Sequence, residues 1–185
     1  MERDPDRQDQ VLNLEDLTES FDPIVGQSVT LRTLRREDVD IEAAFLSGLS
    51  PESRHNRLLG GMIKITREYV ERLTTIDYAR DMAIAAVLML DGREVLIGVA
   101  RYVLEPGGRA CEFALVIADA WQGRGIGRRM MEKLNGVARD RGLASIYGDV
   151  LSTNHPMLEF CRRLGFTLGR NPDDPTVTRA TLKLA

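Results

Sequence analysis

The spacing of hydrophobic and polar residues divides the front of the chain into one strand followed by helices. Apolar and polar positions alternate over Ser28–Leu34, as they do in a half-buried strand. A helix is predicted over Glu37–Leu46. Ser50-Pro51-Glu52 is typical of the start of a second helix, because proline is favoured at the first helical position. Gly60-Gly61 ends that helix, and a third begins near Thr66, a suitable N-cap.

Three strands joined by tight turns are predicted in the middle of the chain. They cover Met82–Leu90, Val95–Leu104 and Ala110–Ile117. The turns between them are Asp91-Gly92 and Pro106-Gly107-Gly108, both typical of hairpins. Strands connected in this way are antiparallel neighbours in a sheet.

The last third of the chain alternates between helical and extended patterns. Apolar residues at helical spacing predict a helix from Ile126 to Ala138, which Gly142 ends. The remaining elements are a strand over Ser145–Val150, a helix over Pro156–Leu164, and strands over about Phe166–Arg170 and Thr176–Leu184. The pattern therefore predicts an α/β fold: a mixed, mostly antiparallel central sheet of about seven strands flanked by helices, forming one domain over residues 23–185.

The first 22 residues differ from the rest in composition. They are rich in Asp, Glu, Arg and Gln and contain few apolar positions, so a flexible acidic arm is predicted over residues 1–22. The arm could dock on a partner subunit, which leaves a homodimer open as an alternative.

Composition and charge narrow the classes of function. A formal net charge of −3 provides no basic surface, so nucleic acid is not expected as a partner. There is no apolar run as long as a membrane span and no signal-peptide pattern. Two cysteines do not make a disulfide framework, and His55 and His155 lack metal-ligand spacing. We therefore expect a cytoplasmic protein without a metal site or a membrane partner.

A glycine-rich loop is the most informative local feature. The run Gln122-Gly123-Arg124-Gly125-Ile126-Gly127 follows a predicted strand and opens a predicted helix. Glycines let the backbone approach an anion closely, and the free N–H groups and dipole of the first helical turn attract it. Arg128 and Arg129 add positive charge to that of Arg124. The loop is therefore predicted to bind the pyrophosphate of a nucleotide cofactor.

Other kinds of glycine-rich loop share some of these features. A dinucleotide-binding fingerprint would need glycine in place of Arg128, although Asp149 lies about where that fingerprint places an acid. A P-loop is excluded, because the Gly-Lys-Ser/Thr sequence is absent. A glycine-rich turn without a ligand is the remaining alternative.

The loop and its surroundings resemble the GNAT (Gcn5-related) N-acyltransferase superfamily. The resemblance rests on Gln122, Gly125 and Gly127, which match the pattern Gln/Arg-x-x-Gly-x-Gly/Ala, and it continues through Asn154 and Leu164-Gly165-Phe166. Within the superfamily the chain is most similar to the acetyltransferase domain of bacterial protein-lysine acetyltransferases of the Pat type. That similarity is carried by residues 49–54, 76–78, 82–83, 111–114 and 172–175.

The resemblance implies an activity and a donor. It implies an acetyl-CoA-dependent N-acetyltransferase that transfers an acetyl group to a primary amine, most readily a protein lysine, by direct attack in a ternary complex. A small-molecule amine acetyltransferase and a non-catalytic acyl-CoA-sensing module are the alternatives.

The resemblance also implies where the donor is held. The pyrophosphate would contact residues 122–128, that is Gln122, Gly123, Arg124, Gly125, Ile126, Gly127 and Arg128, with Arg124 and Arg128 also near the adenosine 3′-phosphate. The backbone of Leu115, Val116 and Ile117 would hold the pantetheine arm and help to stabilise the thioester oxyanion. Asn154 could bind the pantetheine or could simply cap a helix.

Glu112 is the predicted general base. An attacking lysine must be neutral, and removing its proton at pH 7 costs about 4.6 kcal/mol. In the predicted strand Glu112 shares a face with Ala114 and Val116, a small apolar surface that would raise the pKa of the carboxyl. Pat-type enzymes place their catalytic glutamate at the matching position. The alternatives are a solvated glutamate or an ion pair with Arg101.

No general acid is assigned. Many GNAT enzymes have a tyrosine seven residues after the helix asparagine, but here that position holds Cys161, which is expected to be a buried apolar residue. Tyr147 and Tyr102 are outside candidates. A thiolate leaving group with a pKa near 8.5 needs little protonation, so an acid is not required.

Overall fold

A single eight-stranded sheet organises the protein in the computed structural model, which describes residues 13–184. The strands are β1 (Glu19–Ile24), β2 (Gln27–Thr33), β3 (Met82–Leu90), β4 (Arg93–Leu104), β5 (Ala110–Ile117), β6 (Ser145–Leu151), β7 (Thr167–Arg170) and β8 (Val177–Lys183). Their order is β1-β2-β3-β4-β5-β6-β8-β7. Every neighbouring pair is antiparallel except β5 and β6. The predicted fold class is confirmed, with eight strands rather than seven.

Five helices cover the two faces of this sheet. They are α1 (Val39–Gly48), α2 (Pro51–Arg57), α3 (Arg67–Thr74), α4 (Ile126–Asp140) and α5 (His155–Arg163). Ser50, Thr66 and Asn154 cap α2, α3 and α5 through their side-chain oxygens. The predicted positions of these helices agree with the structure to within a few residues.

The additional strand lies in the segment predicted to be a flexible arm. Residues 1–12 of that arm lie outside the described residues, but Glu19–Ile24 forms β1 and pairs with β2 at the edge of the sheet. Glu19 accepts a hydrogen bond from Arg129 of α4 at 2.7 Å, and the Arg129 guanidinium lies 4.5 Å from the centre of the Phe21 ring. Residues 19–22 of the predicted arm thus lie in an edge strand, which these contacts join to α4.

Alternation along the strands sends their side chains into two separate cores. Ala83, Ala85 and Val87 of β3 pack under α1–α3, on what we call the front face. Met82 and Ile84 point to the opposite, back face, where they pack in the core that also contains the apolar side of α4. Glu112 also lies on the front face. It shares one side of β5 with Ala114 and Val116, and Val116 packs in the core under α1–α3. Its register partner on β4 is Val103.

The sheet separates between β5 and β6. These parallel strands pair only over Ala110–Glu112 and Ser145–Tyr147. At the next position a Cβ on Gly148 would lie 2.5 Å from the Phe113 ring, so the ring occupies the space that a side chain would need. Phe113 is in turn held edge-on against Phe166, with ring centres 5.2 Å apart. A cleft therefore opens between the carboxyl halves of β5 and β6, next to the glycine-rich loop.

Candidate active site

The glycine-rich loop exposes a row of backbone donors. Gly123 and Gly125 have φ values of 72° and 80°, and a Cβ at either position would meet no atom within 4 Å. Gly125 is the N-cap of α4 and contributes no side chain. Within residues 13–184 the N–H groups of residues 123–128 make no hydrogen bond; the first bonded one is Arg129, which donates to the Gly125 carbonyl. This is the arrangement that an anion such as pyrophosphate requires.

Three arginines surround the loop, with different partners. Arg124 donates to the Ala120 carbonyl at 3.0 Å and lies over the Trp121 ring. Arg128 pairs with Glu132 at 2.8 Å on an exposed helix surface. Arg129 is engaged by Glu19 of β1. Arg124 is thus the arginine of the three that forms no ion pair with the part of the chain described here.

The side chain of Gln122 braces the loop. Its amide nitrogen donates to the Ile117 carbonyl at 3.0 Å and to the Ser53 hydroxyl at 3.2 Å. Gly127 lies close beneath, where a Cβ would be 3.4 Å from Leu115 and 3.7 Å from Ile117. These contacts fix the distance between β5 and the start of α4, so the loop is preorganised.

A second brace was not visible in the sequence. Asp119 accepts hydrogen bonds from the Ser50 hydroxyl (2.6 Å), the Ser50 N–H (3.0 Å) and the Ser53 hydroxyl (2.7 Å). These bonds lower the pKa of Asp119 to about 2, with those from Ser50 contributing most. The network ties the start of α2 to the loop. Because its partners are 66 to 69 residues apart in sequence, no local pattern indicates it.

Leu115, Val116 and Ile117 line the cleft from the β5 side. Val116 is buried under α1–α3 on the front face, while Leu115 and Ile117 pack on the back face. Beyond Glu112 the edge of β5 that faces β6 has no ladder partner. Backbone groups along this edge are therefore available to a ligand in the cleft.

Glu112 stands on the front face at the last paired position of β5. The carboxylate is exposed along one side and forms no hydrogen bond or ion pair with the described residues. Partial burial raises its pKa, the charge of Asp149 adds to the rise, and Arg179 opposes it. The alternative partner Arg101 is occupied elsewhere, since it donates to the Leu73 carbonyl at 3.1 Å and to Glu42 at 3.4 Å.

Asp149 has a structural role beside this carboxylate. Arg179 holds both oxygens of Asp149 at 2.9 Å, and Asn171 donates to the same carboxylate at 2.8 Å. Asp149 lies on β6 in a mostly antiparallel sheet, in which β5–β6 is the only parallel pair among the strands of residues 13–184. The dinucleotide-binding alternative is therefore wrong, because its fold requires a parallel sheet.

The three residues considered as general acids fall in different places. Cys161 lies on the buried side of α5, and burial raises its pKa to about 11. Tyr102 is fully buried on the back face and accepts a hydrogen bond from Arg141 at 2.7 Å, away from Glu112. Tyr147 is the register partner of Glu112, and Arg179 lies 4.6 Å from its ring centre. Of the three, only Tyr147 shares the face of Glu112.

Asn154 is used as a helix cap. Its side-chain oxygen accepts from the Met157 N–H at 3.2 Å, which satisfies a donor at the start of α5. The amide nitrogen donates to none of the described residues, so it is available to a ligand.

The chain is similar to known proteins in both sequence and structure. Residues 61–166 match the sequence model of the acetyltransferase (GNAT) family. Over 151 residues the chain is 37% identical to acetyltransferase PA5475 of Pseudomonas aeruginosa. The aligned region covers 82% of this chain and 81% of that protein.

Solved structures of GNAT proteins share the fold. The GNAT domain of S. lividans PAT superposes with a TM-score of 0.80 at 24% identity, covering 91% of this chain and 97% of that one. The PaiA N-acetyltransferase from Thermoplasma acidophilum, solved in complex with coenzyme A, gives a TM-score of 0.67 at 14% identity, covering 84% and 98%. The resemblance found in the sequence is confirmed by these matches.

Proposed function

The chain belongs to the acetyltransferase (GNAT) family, and we propose that it acetylates primary amines, with a protein lysine as the acceptor. As a family member it is an enzyme that uses acetyl-CoA as its acyl donor. We propose the identity of the acceptor and the roles of the individual residues. We place the reaction in the cytoplasm, because a reducing compartment suits the two unpaired cysteines.

The proposal rests on one observation. Within residues 13–184, β5 carries a carboxylate without a partner and leads into a loop whose backbone N–H groups are also without partners. Glu112 is at the point where β5 leaves β6, and residues 123–128 with their unbonded N–H groups follow the same strand. The residues suit coenzyme A, because the loop matches a pyrophosphate and the cleft edge of residues 115–117 matches an amide-rich pantetheine arm. Arg124, Arg128 and the free amide of Asn154 would complete the contacts.

The proposed reaction needs one base. Glu112 takes a proton from the acceptor ammonium, directly or through a water, and the neutral amine attacks the thioester carbonyl. A new C–N bond forms and the C–S bond breaks, so that coenzyme A leaves as a thiolate. The nitrogen gives up its second proton to this thiolate or to solvent, and Glu112 returns its own proton to solvent. The products are the acetylated amine and coenzyme A.

Two features support a protein lysine as acceptor. The core under α1–α3 takes its strand residues from β3, β4 and β5. The described part of these helices therefore does not cover the front of β6 and β8, beside Glu112. A side chain on another protein can reach a carboxylate exposed in this way. The fold is also shared with the GNAT domain of S. lividans PAT, and the sequence resembles Pat-type domains.

The test is coenzyme A release in the presence of a lysine peptide, with acetyl-lysine identified by mass spectrometry. The matched control is the same peptide with norleucine in place of lysine. We expect release that depends on the lysine. A protein that binds acetyl-CoA but releases no coenzyme A with peptides or small amines would be a sensor, and release only with small amines would favour the small-molecule alternative.

A further inference from the structure

A small cavity lies under α1–α3, beside the strand that carries Glu112. Val99 of β4 and Val116 of β5 form its floor, and residues of the three helices and of the segment before α3 form its roof. Its volume is about 20 Å³. A space of this size has room for one small polar group, such as a water molecule or the terminal carboxylate of an entering ligand.

The lining of the cavity contains polar atoms without partners. Glu42 is 1% exposed, and one of its oxygens is 3.4 Å from Arg101 while the other has no hydrogen-bond partner among the described residues. The Nε of Arg54 is likewise buried and without a partner in that part of the chain. Unsatisfied buried polar atoms are costly. The Arg54 Nε–H calls for an acceptor, and the free oxygen of Glu42, a carboxyl whose pKa is raised by burial, can face an anion as the protonated acid.

The charges around the cavity are unequal. Arg54, Arg57 and Arg101 line it together with the single carboxylate of Glu42. Arg57 forms no hydrogen bond or ion pair with residues 13–184, and Arg54 donates only to the Ser47 and Leu49 carbonyls. Two positive charges are therefore unbalanced in a partly desolvated space, where an anion would be favoured.

Arg57 connects this cavity to the catalytic carboxylate. Burial raises the pKa of both Glu42 and Glu112, and in each case the positive charge of Arg57 acts in the opposite direction. Arg57 is the last residue of α2, the helix that Asp119 ties to the loop. Arg57 and Val116 line the same cavity, and Val116 lies on β5 four residues beyond Glu112, so a group bound by Arg57 would lie on the front side of the strand that carries Glu112.

We propose that this cavity binds a carboxylate of the acceptor, so that the enzyme prefers amines that carry an acid group close to the reacting nitrogen. Arg57 would supply the paired donors, since a guanidinium matches a carboxylate in two parallel hydrogen bonds. In a protein the carboxylate is an Asp or Glu side chain next to the lysine; in a small molecule it is the acid group of an amino acid. This inference rests on the proposed function and names its substrate class.

The experiment compares two matched pairs of acceptors. One is a set of lysine peptides with Glu or Gln at each flanking position in turn, and the other is Nα-acetyl-lysine and its methylamide. We expect kcat/KM to be about tenfold higher for the acidic member of at least one pair, the effect of one charged hydrogen bond. The pair that responds identifies the source of the carboxylate.

The variant Arg57→Gln should bring this ratio close to one, and Arg57→Lys should retain part of it. Arg93→Gln is the matched control, because Arg93 is an exposed arginine at the far start of β4, and it should keep the ratio of the wild type. A ratio that survives in Arg57→Gln would overturn the proposal.

Other outcomes separate this proposal from the proposed function. Equal acetylation of acidic and neutral acceptors would overturn the carboxylate site and leave the acetyltransferase activity in place. Binding of acetyl-CoA without acetylation of any amine would overturn both. A third outcome is that Arg57→Gln lowers kcat/KM for succinyl-CoA with neutral acceptors and leaves the ratio between acidic and neutral acceptors unchanged. The cavity would then bind the carboxylate of the acyl group, and the assignment to the acceptor would be wrong.

Discussion

Two clusters of buried charge lie on the front side of the protein, and they differ in how completely they are paired. Arg32 donates to both oxygens of Asp38 at 2.7 and 2.9 Å, to Glu94 at 2.8 Å and to the Thr33 carbonyl. The cluster around Glu42 leaves one carboxylate oxygen and one guanidinium nitrogen without partners in the described structure. The first cluster is fully paired, whereas we propose that the second is completed by a carboxylate of the acceptor. On that proposal, incomplete pairing is the feature that separates a substrate site from a structural ion pair.

The largest predicted effect breaks the completed cluster. Asp38→Asn should lower the free energy of unfolding by about 3 kcal/mol, because it leaves a buried guanidinium short of its counter-charge. The midpoint of thermal unfolding should fall by about 6 to 12 °C, while turnover per folded molecule stays near that of the wild type. A loss below about 1 kcal/mol in urea titrations would show that the cluster is not a major source of stability.

A smaller effect is predicted for the brace between α2 and the loop. Asp119→Asn should cost about 1 kcal/mol at pH 7, a value that allows for solvent screening of this exposed group. The pKa of Asp119 in the folded state is about 2, below the unfolded value near 3.9, so its contribution is present above about pH 4 and lost as the pH falls toward 2. The difference between the two proteins in acid unfolding should therefore close over that range, and a constant difference would argue against this ionised carboxylate.

The smallest predicted effect concerns the incomplete cluster. Arg57→Gln should change the free energy of unfolding by no more than about 0.5 kcal/mol, because Arg57 has no partner to lose within residues 13–184. Its influence should appear in the choice of acceptor instead. Urea unfolding of Arg57→Gln beside Asp38→Asn measures the contrast directly, and similar losses in both would remove the distinction between the two clusters.

Features that depend on neighbouring residues could be predicted from the sequence. The glycine-rich loop was found because its glycines, arginines and following helix are contiguous, and Glu112 because alternation along one strand assigns it a face. Edge strand β1 was missed, since Ser20 and Asp22 point to solvent and its composition resembles an unstructured arm.

Features that join distant segments could not be predicted. The cavity cluster brings together α1, α2 and β4. The Asp119 brace joins the turn that follows β5 to the start of α2, across more than 60 residues. In both cases the partners are common polar residues whose spacing carries no local pattern. Only the packing of helices on the sheet reveals which of them meet.

The measurement that most directly tests the central claim is the pH dependence of kcat/KM for a lysine acceptor in the wild type and in Glu112→Gln. Because burial raises the pKa of Glu112, the wild type should gain activity as the pH rises through a value above that of an ordinary glutamate, and should then reach a plateau.

Without the base, activity should follow the neutral fraction of the amine. The Glu112→Gln rate should then be about 10² to 10⁴ times lower near pH 7 and should rise about tenfold per pH unit toward the amine pKa near 10.4. Acetyl-CoA binding, measured by calorimetry, should be retained. Superimposable profiles for the two proteins would contradict the role of Glu112 and the account of catalysis built on it.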